Sequence, residues 1–355
     1  MRKLGISFFI MAIVFATYYF ATSKSVHPKF VTNLVDSKGI ESRINTLDYN
    51  PSNLILAVGY ENGDIDVYDA SKELFSTKIQ AHQYRVSHLS STRSGRLLSS
   101  SSYFEDATKI WDLSNSEKFL SIPKTRGPEI FSSDGNTIYM AHTSSIKIYN
   151  LLDNSFFPVE YKSNGVIQSI ALSEDEKYIA VGTTGKIQVW EINVDHKGIS
   201  FWKRVLGYKN ISLELISQKS LYKPKDWIKL INFTRSDKKI VSVSRFGNVD
   251  VFDNPLLTSR ANSTSQLNIT SANYLDEEEA VYLTGTKKPS GYGEGFVELI
   301  SLRSNAPITL IEGLSNLSTS TTIQQAELML IASGKRYLAL NFKNNITKPS
   351  SGSSR

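Results

Sequence analysis

Five times along the chain, alternating β-branched and polar residues run into an aromatic side chain and then an acid or amide. The copies are Asp64-Ile65-Asp66-Val67-Tyr68-Asp69, Thr108-Lys109-Ile110-Trp111-Asp112, Ser145-Ile146-Lys147-Ile148-Tyr149-Asn150, Lys186-Ile187-Gln188-Val189-Trp190-Glu191 and Asn248-Val249-Asp250-Val251-Phe252-Asp253. The ends of the first four lie about 40 residues apart, and the gap before the fifth is longer. Upstream of each copy stand further short alternating segments separated by polar turns, such as Ile44 to Leu47, Asn50-Pro51-Ser52-Asn53, then Leu54 to Gly59. A period of two over four to six residues reads as half-buried antiparallel strand, and helix is a poor fit.

A sheet of this kind cannot bury both faces alone, so such units stack radially until a ring closes. The expectation is an all-β, seven-bladed β-propeller of four-stranded antiparallel blades over residues 29–342. Ile269 to Leu275, Ala280 to Thr284 and Gly295 to Ser301 supply the sixth blade. Thr322 to Gln325, Leu328 to Ser333 and Tyr337 to Phe342 supply the seventh. The seventh runs out of chain one strand early, and Lys29 to Val35 is expected to fill the place and remove the exposed edge.

The terminal pairs resemble those of the WD-repeat family, whose blades end in Trp-Asp and often open with Gly-His. Trp111-Asp112 is the literal match, Trp190-Glu191 a near one, and Ala81-His82 stands where Gly-His would be. The resemblance implies a hydrogen-bonded structural tetrad inside the second blade, made of His82, Ser100, Asp106 and Trp111. Such a network satisfies a buried imidazole and indole, which makes His82 structural rather than catalytic.

The N-terminus carries a separate signal. Met1-Arg2-Lys3 is cationic and Leu4 to Thr22 is uncharged, close to the roughly 20 apolar residues that span a bilayer. Residues 1–23 are therefore expected to form a transmembrane signal anchor or a cleaved signal peptide, with membrane contact through residues 4–22. The propeller is then periplasmic or otherwise extracytoplasmic, as in a bacterial exported protein. The chain has no cysteine, which rules out disulfides, thiolate metal sites and a cysteine nucleophile. Residues 343–355 are polar and expected to be disordered.

The formal net charge of +6 points to an anionic partner. With an export signal, that is an acidic protein, a cell-wall polymer or a membrane surface rather than nucleic acid. In WD-like propellers the turn between the second and third strands and the crossover to the next blade open on one rim. There the sequence gathers Tyr84, Arg85, Tyr103, Phe104 and Arg126, joined by Tyr161 and Lys162. Further round come Tyr222, Lys223, Lys225, Arg245, Phe246, Lys287, Lys288 and Tyr292. Turns ordinarily favour Gly, Asn, Asp and Ser, whereas interfaces favour Tyr, Trp, Phe and Arg, so this top face is the candidate partner surface. Residues 193 to 226 are the largest insertion. Within them Phe201-Trp202-Lys203-Arg204-Val205 is a candidate outer strand of the fourth blade, and Ile211 to Ile216 a further strand or short helix. The segment is also basic and amphipathic enough to touch lipid headgroups.

Catalysis finds little support. The five histidines, His27, His82, His88, His142 and His196, form no spaced pair, and no G-x-S-x-G elbow occurs. Gly291-Tyr292-Gly293-Glu294-Gly295 is too short for a nucleotide motif, and the acids around Asp276 read as a solvated turn. No metal or cofactor is expected. The function that follows is a non-catalytic interaction scaffold of unknown oligomeric state. The alternative is a propeller enzyme or small-ligand binder at the mouth of the central channel.

Overall fold

In a computed structural model the alternating segments become antiparallel strands whose apolar members are buried against neighbouring sheets. The structure describes residues 42–341, apart from 70–73, 116, 159–160, 221–225, 276–278, 288–293, 303–306, 315–316, 324–327 and 334–335. In Asp64–Asp69 the pattern is at its clearest: Ile65 and Val67 are buried, while Asp64 and Asp66 between them stay partly exposed.

The first sheet runs Ile44–Asn50, Ile55–Tyr60, Asp64–Asp69 and Leu74–Gln80, each strand paired with the next. The second runs His88–Ser91, Leu97–Ser101, Ala107–Asp112 and Glu117–Pro123. The third runs Glu129–Phe131, Thr137–His142 and Ser145–Asn150, with its outer position split into Ser155–Phe156 and Tyr161–Lys162. Ile167–Leu172, Tyr178–Thr183, Lys186–Asp195 and Asn210–Ser220 make the fourth, and Ile228–Phe233, Lys239–Ser244, Asn248–Asp253 and Ser259–Thr264 the fifth. The sixth is Asn268–Leu275, Ala280–Thr286, Gly295–Ser301 and Pro307–Leu314.

The expectation of seven four-stranded blades is corrected here. Six blades have four strand positions, whereas the last sheet has three strands, Leu317–Ile323, Leu328–Ser333 and Arg336–Asn341. Its inner strand begins at Leu317, ahead of the expected Thr322, because Ser-Thr repetition there hides the alternation. The assignment of Lys29 to Val35 as a closing strand falls outside the described residues, as do the leader 1–23 and the tail 343–355. Among the described residues, which begin at 42, no helix is long and apolar enough to cross a membrane, so the expected transmembrane helix has no counterpart there.

The inner strands follow one another around an axis, and that of the last sheet packs back on that of the first. Asn273 Nδ2 in the sixth inner strand donates to Ser320 Oγ in the last, at 2.7 Å. The core is accordingly a series of layers between blades. Ile65, Val67 and Ile79 of the first meet Leu98 and Trp111 of the second. Ile110 and Ile122 of the second meet Ile138, Met140 and Tyr149 of the third. The repeat-ending aromatics Trp111, Tyr149, Trp190 and Phe252 are all buried in such layers, which is why each repeat needs a large side chain there.

Two features place the rim. At Gly63, φ is +91°, and an added Cβ would strike the His82 carbonyl. Gly247 repeats this in the fifth blade, with φ +83° and the Ser265 carbonyl as the obstacle. In both, the turn between second and third strands presses on the following crossover, so only glycine fits. The opposite rim carries the first turn of each blade and the outgrowth between Lys186–Asp195 and Asn210–Ser220. Phe201–Val205, expected as an outer strand, is instead a short helix α1 at the tip of that outgrowth, and Asn210–Ser220 is the outer strand. Phe201 and Trp202 are mostly exposed. Changing both to serine should alter stability by less than about 1 kcal/mol in urea unfolding, since neither side chain is buried.

Candidate functional site

The crossover from first to second blade begins Ala81-His82, and the turn Ser102–Asp106 lies beside it. Between them a hydrogen-bonded chain runs inward. His82 Nδ1 is 2.8 Å from Glu105 Oε2, and His82 Nε2 is 2.9 Å from Ser100 Oγ. Trp111 Nε1 donates to the same Ser100 Oγ at 2.8 Å. The partners fix the proton order, because an ionised carboxylate only accepts: Nδ1–H donates to Glu105, and Nε2 accepts from the Ser100 hydroxyl. Glu105 also accepts from the Gln83 backbone N–H at 2.5 Å and from Lys109 Nζ at 3.0 Å. Burial would raise the Glu105 carboxyl, but the bonds from His82, Gln83 and Lys109 outweigh it and hold it at about 2. Burial pulls His82 below its usual range against the opposing pull of Glu105, which leaves a neutral ring at pH 7.

The structure thus brings His82, Ser100 and Trp111 together, with one correction to the set. The acid is Glu105, and Asp106 is not part of it. Asp106 points outward, half exposed, to Arg126 Nε at 3.3 Å and His142 Nε2 at 3.1 Å. Adjacent residues of this turn point opposite ways, Glu105 inward to His82 and Asp106 outward to Arg126 and His142.

On the same rim two aromatic and cationic clusters are exposed. Tyr84 and Phe104 meet at a tilt of 47° with 5.7 Å between centroids, and the Arg85 guanidinium lies 5.3 Å from the Phe104 ring. Phe104 is 61% and Tyr84 50% exposed, unusual for rings of this size. In the fifth blade the Arg245 guanidinium lies 5.0 Å from the Trp227 ring and 5.9 Å from that of Phe246. Asp226, at 1% exposure, holds this turn: its carboxylate accepts from the Phe246 N–H at 3.2 Å and Asn248 Nδ2 at 3.1 Å.

Other expected rim residues are placed differently. Tyr103 turns towards the channel, where its hydroxyl is 2.7 Å from His88 Nε2 and its ring meets the imidazole edge-on. Burial pushes His88 down to about 4, so it too is neutral. Lys287 lies 4.1 Å over the buried Phe296 ring. Tyr161 packs on Trp190 inside the third-to-fourth layer and leaves the rim. Tyr222, Lys223, Lys225, Lys288 and Tyr292 lie outside the described residues.

Sequence reasoning missed Trp227, Asp226 and Lys229. The signal for Lys229 was present in register. Five inner strands skip one residue after their first apolar position, at Asn45, Gln168, Lys229, Thr270 and Ser318. Such bulges re-aim a side chain, and Lys229 is the cation among four neutral polar residues. On the third inner strand Glu129 is buried against the second blade, where it accepts from Ser101 Oγ at 2.9 Å and Ser99 Oγ at 3.4 Å.

No family model matches the chain. It is 23% identical over 173 residues to pre-mRNA-processing factor 19 homolog 2 of Arabidopsis thaliana, a match covering 46% of this chain and 31% of that protein. The chain therefore spans less than a third of that relative's length. Among solved structures, it is similar to the Cps50 (Swd1) β-propeller domain of Myceliophteria thermophila, with a TM-score of 0.67 and 13% identity. That likeness covers 84% of this chain and 97% of the other. With six four-stranded blades and a three-stranded sheet around one axis, the fold is that of a WD-repeat-like β-propeller.

Proposed function

We propose that this protein is a non-catalytic scaffold that docks an acidic protein partner on the rim bearing Tyr84, Arg85, Phe104, Trp227, Arg245 and Phe246. Propeller domains of the WD type generally serve as protein-interaction scaffolds. The observation that carries the reading is the pair of exposed ring-and-guanidinium clusters, since aromatic and Arg anchors dominate interface energetics. The His82–Glu105 network supports it indirectly by fixing the turn that presents Phe104.

The test is cross-linking capture with the full chain. A Tyr84→Ser, Phe104→Ser double variant should lose a partner recovered by the wild type by about tenfold or more. A Phe201→Ser, Trp202→Ser variant on the opposite rim should retain it. Equal recovery by all three would remove the rim from the proposal. An extracytoplasmic location belongs to the same proposal and is supported by the cationic start and the uncharged run at 4–22. Externally added protease should then digest the propeller in osmotically opened cells, and digestion only after full lysis would place it in the cytoplasm.

A further inference from the structure

We propose that the mouth of the central channel on this rim is a seat for a phosphate group, held by Arg85, Lys229 and Arg245 with the Tyr103 hydroxyl alongside. The sheets that carry these residues face one another across the ring. Arg85 and Tyr103 belong to the crossover and turn of the second blade, and Lys229 and Arg245 to the fifth. Three cations from opposing walls of one opening is an arrangement that repulsion disfavours unless something negative is placed between them.

Each is oriented by contacts that leave its charge unanswered. Arg85 and Arg245 lean on ring faces, and no carboxylate meets either guanidinium among the described residues. Arg85 Nε is buried with no hydrogen-bond partner, which is costly for a guanidinium nitrogen. Lys229 sits in the inner-strand bulge, and no described residue forms an ion pair or hydrogen bond with its ammonium. Burial, with repulsion from Arg245 and Arg85, pulls its pKa down. Asp226 is committed to the Phe246 N–H and Asn248, and Glu129 to the Ser99 and Ser101 hydroxyls.

The geometry favours a tetrahedral dianion over a lone carboxylate. A planar carboxylate is satisfied by one guanidinium from one side, whereas phosphate oxygens point outward in all directions and accept from facing walls at once. The ligand class goes beyond the docking reading, and the seat stands whether or not the outer rings hold a protein.

The experiment is thermal unfolding of the full chain with inorganic phosphate titrated against chloride at constant ionic strength. The wild type should show a saturable rise in Tm, as linkage requires for a ligand bound only by the folded state. Lys229→Gln, which relieves the mutual repulsion, should unfold at a higher temperature without phosphate yet bind phosphate about tenfold or more weakly. Tyr84→Ser, which leaves the Phe104 ring under Arg85 in place, should keep the full phosphate response, which separates failure of the seat from failure of the outer rim. A neutral peptide carrying one phosphoserine that displaces phosphate, where its serine form does not, would identify a protein-borne source. Binding of inorganic phosphate without that competition would identify the free ion. No saturable rise, or the same response in Lys229→Gln as in the wild type, overturns the proposal.

Discussion

Glu129→Gln should stabilise the domain on the order of 3 kcal/mol at pH 8 and by almost nothing at pH 4.5. The carboxyl is at 6% exposure, and burial, reinforced by repulsion from Asp48, pushes it from the ordinary 4.5 up to about 7 against the opposing bonds from Ser101 and Ser99. A carboxyl raised on folding holds its proton more tightly in the native state. Its protonated form is compatible with the fold at low pH, and stability is lost as the pH climbs from the unfolded value through about 7, levelling off above. The isosteric amide never ionises and escapes that loss. His88 acts with the opposite sign. Held at about 4 by burial, with Lys229 adding repulsion, it weakens the fold as the pH falls below 6.5. The wild-type profile is therefore a partly cancelled sum, and the measurement that isolates Glu129 is the difference between variant and wild type in urea unfolding at each pH. A difference that does not grow between pH 4.5 and 8 would remove Glu129 as a buried ionisable group.

The parts of this molecule that were legible in the sequence are those with short-range periodicity. Ile65 and Val67, or Val249 and Val251, announce a strand by alternation, and the aromatic after them marks where one blade packs on the next. The blade count depended on something less local. Leu317 opens a sheet through Ser318, Thr319, Ser320 and Thr321, a run in which both faces of the strand are polar or small, so the alternation carried no contrast. Helix α1 was unreadable for a related reason: Phe201, Trp202, Val205 and Leu206 are all exposed, and burial, the cause of apolar patterning, is absent. At the rim, composition picked out Tyr84, Arg85, Phe104 and Arg245 because rings and guanidinium groups are unusual in turns. It could not find Lys229, which sits in a strand where an alternating polar residue is ordinary. Its distinction comes from a bulge that turns it into the channel and from a partner wall three sheets away, neither of which has a local trace.

The same limit explains the one-residue error in the tetrad, and it can be tested sharply. Glu105→Ala should destabilise the domain by about 2–3 kcal/mol, whereas Asp106→Ala should cost about 1 kcal/mol or less. Glu105 takes three donors at once, among them the Nδ1–H of an imidazole whose side chain has no exposure. Its removal leaves that N–H without an acceptor beneath the rim, and frees the Gln83 amide and the Lys109 ammonium together. Asp106 meets Arg126 and His142 in solvent, where screening and side-chain entropy consume most of an ion pair's attraction. The pH dependence should differ in the same way. The Glu105 carboxyl is lowered on folding, so its contribution is present above the unfolded value of about 4.5 and is lost as the pH falls through about 2. Ser100→Ala should resemble Glu105→Ala in size, because Ser100 is the shared partner of Trp111 and His82 and both are left unsatisfied in its absence. Should Asp106→Ala prove the costlier of the two acids, the inward carboxylate would have to be reassigned, and with it the support that positions Phe104 on the rim.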